Sequence, residues 1–362
     1  MNRLVLALIA CSVGCASTPP PAAPADEPSS GVSAPAESPE ADEPASSLDA
    51  AAVADALEYS KSKSGHAVAI YEDGREIASA FHNGWDPAKP HPLASGTKSF
   101  WGPLVAAAID DGIIAGFDEL AADTITEWKG DPRRSGITVR QLLSLTSGLT
   151  PDLGVTINDI ATTDMFALTI AAKGAHDPGS KWAYSDSSHT AVGVLLERKL
   201  AASGSSLAAY IDKRLLAPLS IASPPWLKDG SGHLLMPSGA RLTPQQWAAY
   251  GELIRSEGVG PDGTRLISAE ALAACFEPTS APPAGQFYGL GWWLTSYTSY
   301  AYDLPQDVVI AGGSGGQFLF VIPSRKLTIV RFGEGEGFVD GEFLCRLFHG
   351  EAMATCPKRP KP

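Results

Sequence analysis

The stretch VIAGGSGGQFLFVIPS, Val309 to Ser324, decides the fold. Its centre, Gly312-Gly313-Ser314-Gly315-Gly316, spells G-x-S-x-G, the pattern of a nucleophile elbow. An elbow needs a strand before its serine and a helix after it, so that the helix N-terminus faces the nucleophile. Val308 to Ala311 supplies the strand, but QFLFVIP reads as a second strand, closed by Pro323. Two strands joined through glycines make a hairpin, which leaves Ser314 in a turn. Among 36 glycines the spelling by itself carries little weight.

Outward from this hairpin the C-terminal part stays strand-like, with YGLGWWLTSY and DVVIAGG before it and LTIVRFGE after it, and GEFLCRLFHGEAMA then has the period of a closing helix. The opposite end of the body mirrors this. LDAAAVADALEYSKSKSG has apolar residues at helical spacing up to Gly65, and HAVAIYEDGREIASAFHNG holds two apolar runs joined by Asp73-Gly74, a strong hairpin signal. Between Ser95 and Ser280 the periods are helical, broken at Pro132, Pro178, Pro218 to Pro225 and Pro237. Strands bracketing a helical middle predict an α+β fold: an antiparallel sheet flanked by helices, built from residues 49–92 and 285–356, with an all-helical domain inserted over 93–284. No repeat of 20 to 50 residues is evident.

The composition, 44% hydrophobic and 19% charged over 362 residues, is that of a globular chain. Of the net charge of −13, seven acids lie between Ala16 and Ala50, where there is no Lys or Arg. Without them and Arg3 the body holds 26 basic and 33 acidic residues, about −7, which argues against nucleic acid as a partner. Residues 16–48 are almost wholly Ala, Pro, Ser, Glu and Asp and read as a solvated linker. Residues 1–15 read as an export signal of lipoprotein type: Arg3, a short apolar run from Leu4 to Ala10, then small residues, with Cys11 and Cys15 both candidates for lipidation. Lipid there would tether an exported protein to a bacterial membrane, on the periplasmic side or at the cell surface. Of the remaining cysteines, Cys345 and Cys356 flank the closing helix and are able to pair, leaving Cys275. No metal-binding spacing occurs, and no metal or cofactor is expected.

A second serine signature, S-x-x-K, puts a serine one helical turn from a lysine. It occurs at Ser60-Lys61-Ser62-Lys63 and at Ser95-Gly96-Thr97-Lys98. Ser60 lies at the charged end of an amphipathic helix, where both lysines are simply solvated. Ser95 instead opens the apolar run FWGPLVAAAIDDGII, so Lys98 turns back into a half-buried helix start. A helix N-terminus stabilises developing negative charge, and a lysine withdrawn from water can serve as a base. The alternative is a capping serine beside an exposed lysine.

Five stretches in order, SGTKSFWGPLVAAAIDDG from Ser95, ITVRQLLSLTSGL from Ile137, PGSKWAYSDSSHTAVGVLLE from Pro178, YGLGWW from Tyr288 and AGGSGGQFLFVIPS from Ala311, resemble the serine β-lactamase-related family. That family includes class C β-lactamases, D,D-peptidases, family VIII esterases and 6-aminohexanoate-dimer hydrolases. The resemblance implies a β-lactamase/transpeptidase-like fold in which Ser95 is acylated and Lys98 assists proton transfer. It implies that Tyr184, in Tyr184-Ser185-Asp186, shuttles a proton to the leaving group. A tyrosine that only caps the helix starting near Ser187 is the plain alternative.

Asp186 stands where the family has Asn, so it strengthens an ion pair with Lys98 but loses an amide donor, which puts it in doubt as a substrate contact. The third family motif, Lys-Thr-Gly or His-x-Gly, aligns with Ala311-Gly312-Gly313 and lacks its cation, with Gly313 leaving room for substrate. In that register the backbone N–H groups of Ser95 and Ser314 form the oxyanion hole, so Ser314 contributes an amide and not a nucleophile. Trp292 and Trp293 face opposite sides of one strand, one toward the core and one toward the cleft, with Trp293 the cleft candidate. The seven histidines form no triad with either serine, and His189 reads as structural. The implied activity is hydrolysis of a small ester or amide through an acyl-enzyme by a monomer. The alternatives are a β-lactamase or D,D-peptidase acting on a lactam or peptidoglycan, and a surface binding module that keeps only the fold.

Overall fold

In the computed structural model, which describes residues 46–222, 226–279, 281, 287–294, 301–335 and 337–359, helix α1 (Ala50–Ser62) begins where the Asp49 carboxylate accepts from the amides of Ala51 and Ala52 at 2.9 Å. Leu48, the last residue of the expected linker, is already buried against the core. The export signal and the two cysteines in it, Cys11 and Cys15, lie outside the described residues. Strands β1 (Gly65–Glu72) and β2 (Arg75–Phe81) follow, joined by Asp73 and Gly74 at φ 50° and 80°. Both central residues are left-handed, which matches the twist of paired strands and accounts for the Asp-Gly sequence there.

The chain then leaves the sheet. Strand β3 (His91–Pro92) leads through a 3₁₀ turn over Ala94–Phe100 into α2 (Trp101–Asp110). Helices α3 (Val139–Leu143), α4 (Met165–Ala171), α5 (Asp186–Ala201) and α6 (Leu207–Ile211) come next. Strand β4 (Arg241–Leu242), which pairs with β3, and helices α7 (Pro244–Arg255) and α8 (Ala269–Ala273) complete the middle of the chain. Strands β5 (Trp293–Leu294), β6 (Val309–Gly313), β7 (Gln317–Ile322) and β8 (Leu327–Gly333) and helix α9 (Asp340–His349) finish the body.

Six strands form one sheet in the order β2-β1-β8-β7-β6-β5, every neighbouring pair antiparallel. The N-terminal hairpin is thus completed by the last strand of the chain, as expected of an α+β sheet whose strands come from opposite ends. Residues of β8 alternate between two cores. Leu327 and Ile329 join α1 and α9 on one face, and Val330 and Phe332 join the helical middle on the other. Helix α7 packs on β1, β7 and β8, and α1 packs on α9 and β1, which makes three layers. Among the described residues β4, inside the segment expected to be all helical, pairs with β3 just ahead of that segment in a short two-stranded ladder.

The segment ITVRQLLSLTSGL forms a shorter helix than its pattern suggests. Thr138 and Gln141 make a capping box, but the chain leaves the helix at Ser144 and Leu145 takes φ 61°. Its serines are satisfied in place, Ser144 by Thr146 at 2.9 Å and Ser147 by Ser188 at 2.8 Å. Cys345 and Cys356 are joined in a disulfide, with Cys345 inside α9 and not beside it, while Cys275 is free and buried. No helix among the described residues is long and apolar enough to cross a membrane.

Candidate active site

Ser95 follows Ala94, whose φ of 48° is left-handed for a residue with a Cβ and costs roughly 1 to 2 kcal/mol. Strain is therefore stored beside the candidate nucleophile. The first hydrogen bond of the turn runs from the Gly96 amide to the Leu93 carbonyl at 3.0 Å. The Ser95 amide lies before it, among the donors that a helix start leaves without an intrahelical acceptor.

Lys98, one turn on, is 2% exposed. Its Nζ donates to Asp186 Oδ1 at 2.9 Å, to the Pro237 carbonyl at 3.2 Å and to Ser95 Oγ at 3.4 Å. Three acceptors, one of them a carboxylate, match the three hydrogens of an ammonium. The Pro237 carbonyl is held in place from the neighbouring residue, since Trp101 Nε1 at the start of α2 donates to the Met236 carbonyl at 2.6 Å. Asp186 is the first residue of α5, where a negative charge is favoured by the helix dipole, and the helix is capped by the Ser185 side chain bonding the Ser188 amide at 3.2 Å. The cap thus comes from Ser185 and not from Tyr184.

Tyr184 is 40% exposed, and Lys98 Nζ sits 4.8 Å from the centre of its ring. The ring stacks parallel to Trp293 at 6.3 Å, and Trp182 lies 6.2 Å from Tyr184 and 5.9 Å from Trp293. These side chains make an aromatic wall beside the Ser-Lys pair. The structure settles the tryptophan pair: Trp292 is fully buried, and Trp293 belongs to the wall and adjoins Gly312. Trp182 was not singled out from sequence, although it lies two residues before Tyr184.

His189, one turn into α5, is completely buried. Burial first, and the Lys98 cation second, hold its pKa well below the ordinary histidine value, so it is a neutral side chain packed under the site.

The stretch that opened the reading is a hairpin. Its ladder ends at the pair Gly313–Gln317, and Ser314 is exposed in the turn beyond it. Two expectations for its strand change. The close approach expected of a substrate at Gly313 is made by the chain itself, because a Cβ there would collide with the Leu93 carbonyl just ahead of Ser95. Ala311, on the same face of β6, is 2% exposed and belongs to the core shared with the helical middle. Gly313 therefore seats the Ser95 turn against β6, and Ala311 packs behind it. Gly291 in YGLGWW serves the same turn: with φ 91° it lies where a Cβ would strike the Lys98 carbonyl.

Away from this cleft, Asp164, Asp229 and His233 bring three potential ligand groups within 4.8 Å of one another. The Asp229 carboxylate already accepts from the amides of Met165, Ser231 and His233, and Asp164 caps α4 at the Ala167 amide. These bonds make the cluster a loop anchor.

Among solved structures the chain is similar to a family VIII carboxylesterase, with 18% identity and a TM-score of 0.65 over 82% of this chain and 95% of that one. It is similar to a penicillin-binding protein homologue from Caulobacter crescentus, with 17% identity and a TM-score of 0.63 over 82% and 95%. An octameric penicillin-binding protein homologue from Pyrococcus abyssi gives 17% identity and 0.62 over 81% and 75%. At these identities the likeness is one of fold, the β-lactamase/transpeptidase-like fold. No curated protein matches the sequence. The Beta-lactamase family model matches residues 50–346, which spans both halves of the sheet and the helical middle between them, and the chain accordingly belongs to the Beta-lactamase family.

Proposed function

We propose that the protein is a serine hydrolase that forms an acyl-enzyme on Ser95 and cleaves a small ester or amide. The observation that carries this reading is Lys98, buried with its Nζ 3.4 Å from Ser95 Oγ and 2.9 Å from Asp186. A buried lysine that bridges a serine and a carboxylate at a helix start has no packing purpose that a methionine would not serve better.

In the acylation step Ser95 Oγ bonds the substrate carbonyl carbon while the bond to the leaving alkoxide or amine breaks. The Tyr184 hydroxyl gives its proton to the leaving group as it takes the serine's, while Lys98 donates to Ser95 Oγ and lies 4.8 Å from the centre of the Tyr184 ring. The Ser95 and Ser314 amides bind the oxyanion, an arrangement in which one donor is worth roughly 3 kcal/mol of barrier. Water then cleaves the acyl group by the reverse proton path. Asp186 orients Lys98 through their 2.9 Å contact, a role consistent with its binding the lysine and not the cleft.

Ester or amide substrates are favoured over β-lactams and peptidoglycan because Ala311, where penicillin-recognising relatives carry a cation, has no charge and is buried. The aromatic wall of Trp182, Tyr184 and Trp293 suits an apolar acyl group. The disulfide between Cys345 and Cys356 fits the proposal that the protein is exported and lipid-anchored through Cys11 or Cys15, since such bonds persist in oxidising compartments.

Intact-mass analysis after reaction with a fluorophosphonate tests the reading. One adduct, mapped to Ser95 and lost in Ser95→Ala, is expected. Absence of any adduct on folded protein leaves the binding-module reading, and rapid turnover of a chromogenic cephalosporin with little esterase activity moves the assignment to a β-lactamase.

A further inference from the structure

We infer that Gln317 and Arg331 are positioning residues that clamp the turn carrying the Ser314 amide. The inference rests on the reading of Ser95 as the acylated residue. Ser314, Gly315 and Gly316 lie beyond the last ladder pair of β6 and β7, and Gly315 and Gly316 take φ 80° and 81°. Such a turn has wide conformational freedom unless something outside it fixes its peptides. An oxyanion donor needs the opposite, an amide already aimed before charge develops.

Two buried side chains supply the restraint. Gln317, 3% exposed, donates from Nε2 to the Ser314 carbonyl at 3.3 Å and to the Gly333 carbonyl at 2.7 Å, and its Oε1 accepts from the Gly333 amide at 3.2 Å. It fills the gap at the end of the sheet and ties the Ser314 carbonyl, on the peptide that follows the Ser314 amide, to β8. Arg331, fully buried in β8, donates from Nη1 to the Gly316 carbonyl. A side chain at Gly316 would collide with that guanidinium.

The rest of the guanidinium is spent on the end of α1. Nε donates to Ser60 Oγ at 3.0 Å, and Nη2 to the Lys63 carbonyl at 2.8 Å and the Ser60 carbonyl at 3.5 Å, with the Phe338 ring 3.8 Å away. All of these acceptors are neutral oxygens. Burial pulls the Arg331 pKa down to about 10, so the group is still a cation at neutral pH. It lies against the carbonyls at a helix C-terminus, where a cation is favoured. A buried charge of this kind is costly if its only task is packing. Here its fork holds two elements in one geometry: α1 at one end and the oxyanion turn at the other. With Gly313 seated on Leu93 from the opposite face, Ser314 is fixed on both sides.

The test compares Gln317→Glu and Arg331→Lys with the native protein in ester hydrolysis, in thermal melting and in inhibition by a phenylboronic acid, whose boron bonds the serine and presents an oxygen to the same donors. Gln317→Glu keeps the acceptor for the Gly333 amide and removes the donor shared by the Ser314 and Gly333 carbonyls. A loss of about 10 to 100-fold in kcat is expected, with KM changed less than about threefold and boronate affinity falling in parallel with kcat/KM. Arg331→Lys is expected to keep part of the activity, since one donor still reaches the turn. Unchanged kcat and boronate affinity in Gln317→Glu, with or without a lower melting temperature, overturns the clamp while fluorophosphonate labelling of native Ser95 keeps the hydrolase reading. If native Ser95 is not labelled, that reading fails and the clamp with it.

Discussion

The chain spells S-x-x-K twice, and the two copies sit at opposite ends of helices. Ser95 and Lys98 stand at a helix start, with Ser95 half-buried and the Lys98 side chain turned inward among three acceptors. Ser60 and Lys63 stand at the end of α1, where Ser60 is fully buried and Lys63 lies over the Tyr59 ring at 5.8 Å. A helix start leaves N–H donors without partners and so suits a developing oxyanion. A helix end leaves carbonyls without partners and so suits a cation, which Arg331 provides. The same four-residue pattern thus yields a candidate nucleophile at one pole and a cation anchor at the other.

The largest expected effect comes from removing each serine. Ser95→Ala should lower kcat for an ester by 10⁴-fold or more, on the order of what a missing nucleophile costs other serine hydrolases. Ser60→Ala should still label on Ser95, and its penalty should fall on stability, about 1 to 3 kcal/mol by urea unfolding, because Arg331 Nε loses its acceptor. Labelling that follows Ser60 would reverse the assignment of the two poles.

The lysines should differ by less but in the same sense. Lys98→Met is expected to cost about 10² to 10⁴ in kcat. Lys63→Met keeps the backbone carbonyl that Arg331 uses, so its stability should stay within about 0.5 kcal/mol of native and its kcat should be unchanged. Equal losses of activity in the two variants would remove the distinction.

The smallest effect concerns pH and belongs to the Ser95 pole, where His189 is buried near Lys98. Its folded pKa is depressed, so the unfolded chain binds a proton that the native one refuses. The stability His189 contributes is complete above the unfolded value near 6.5 and is lost as pH falls below it, by up to about 1.4 kcal/mol per pH unit. His91, also lowered by burial, adds to the same trend. Urea midpoints at pH 7 and pH 5 should converge in His189→Gln relative to native, and an unaltered pH slope in that variant would show that the proton is taken up elsewhere.

Much of the sheet was legible because its signals are local. Asp73-Gly74 marks a turn that needs two left-handed residues, and the strand after Ser314 rules out an elbow without any knowledge of the core. The Ser-Lys pair was legible because one helical turn fixes both side chains. Contacts between distant segments were not. The Pro237 carbonyl reaches Lys98 across 139 residues, and Ser60 meets Arg331 across 271. One signal for the second was present: Arg331 is the one charge inside the apolar strand LTIVRFG, and a charge placed there must find partners somewhere. The left-handed Ala94 gave no signal, since alanine seldom adopts that conformation and the fold around it imposes the strain.

The sequence by itself determined the α+β layout, the hairpins and the placing of Ser95 and Lys98 one turn apart at a helix start, because periodicity, turn chemistry and the spacing of one helical turn are properties of neighbours along the chain. Tertiary structure alone decided that Ala311 is core, that Trp182 joins the aromatic wall, that Gly313 receives the Leu93 carbonyl and that Ser60 anchors a buried arginine. Each of these depends on which face of a strand or which end of a helix meets a partner far away in sequence, and no local pattern records that partner.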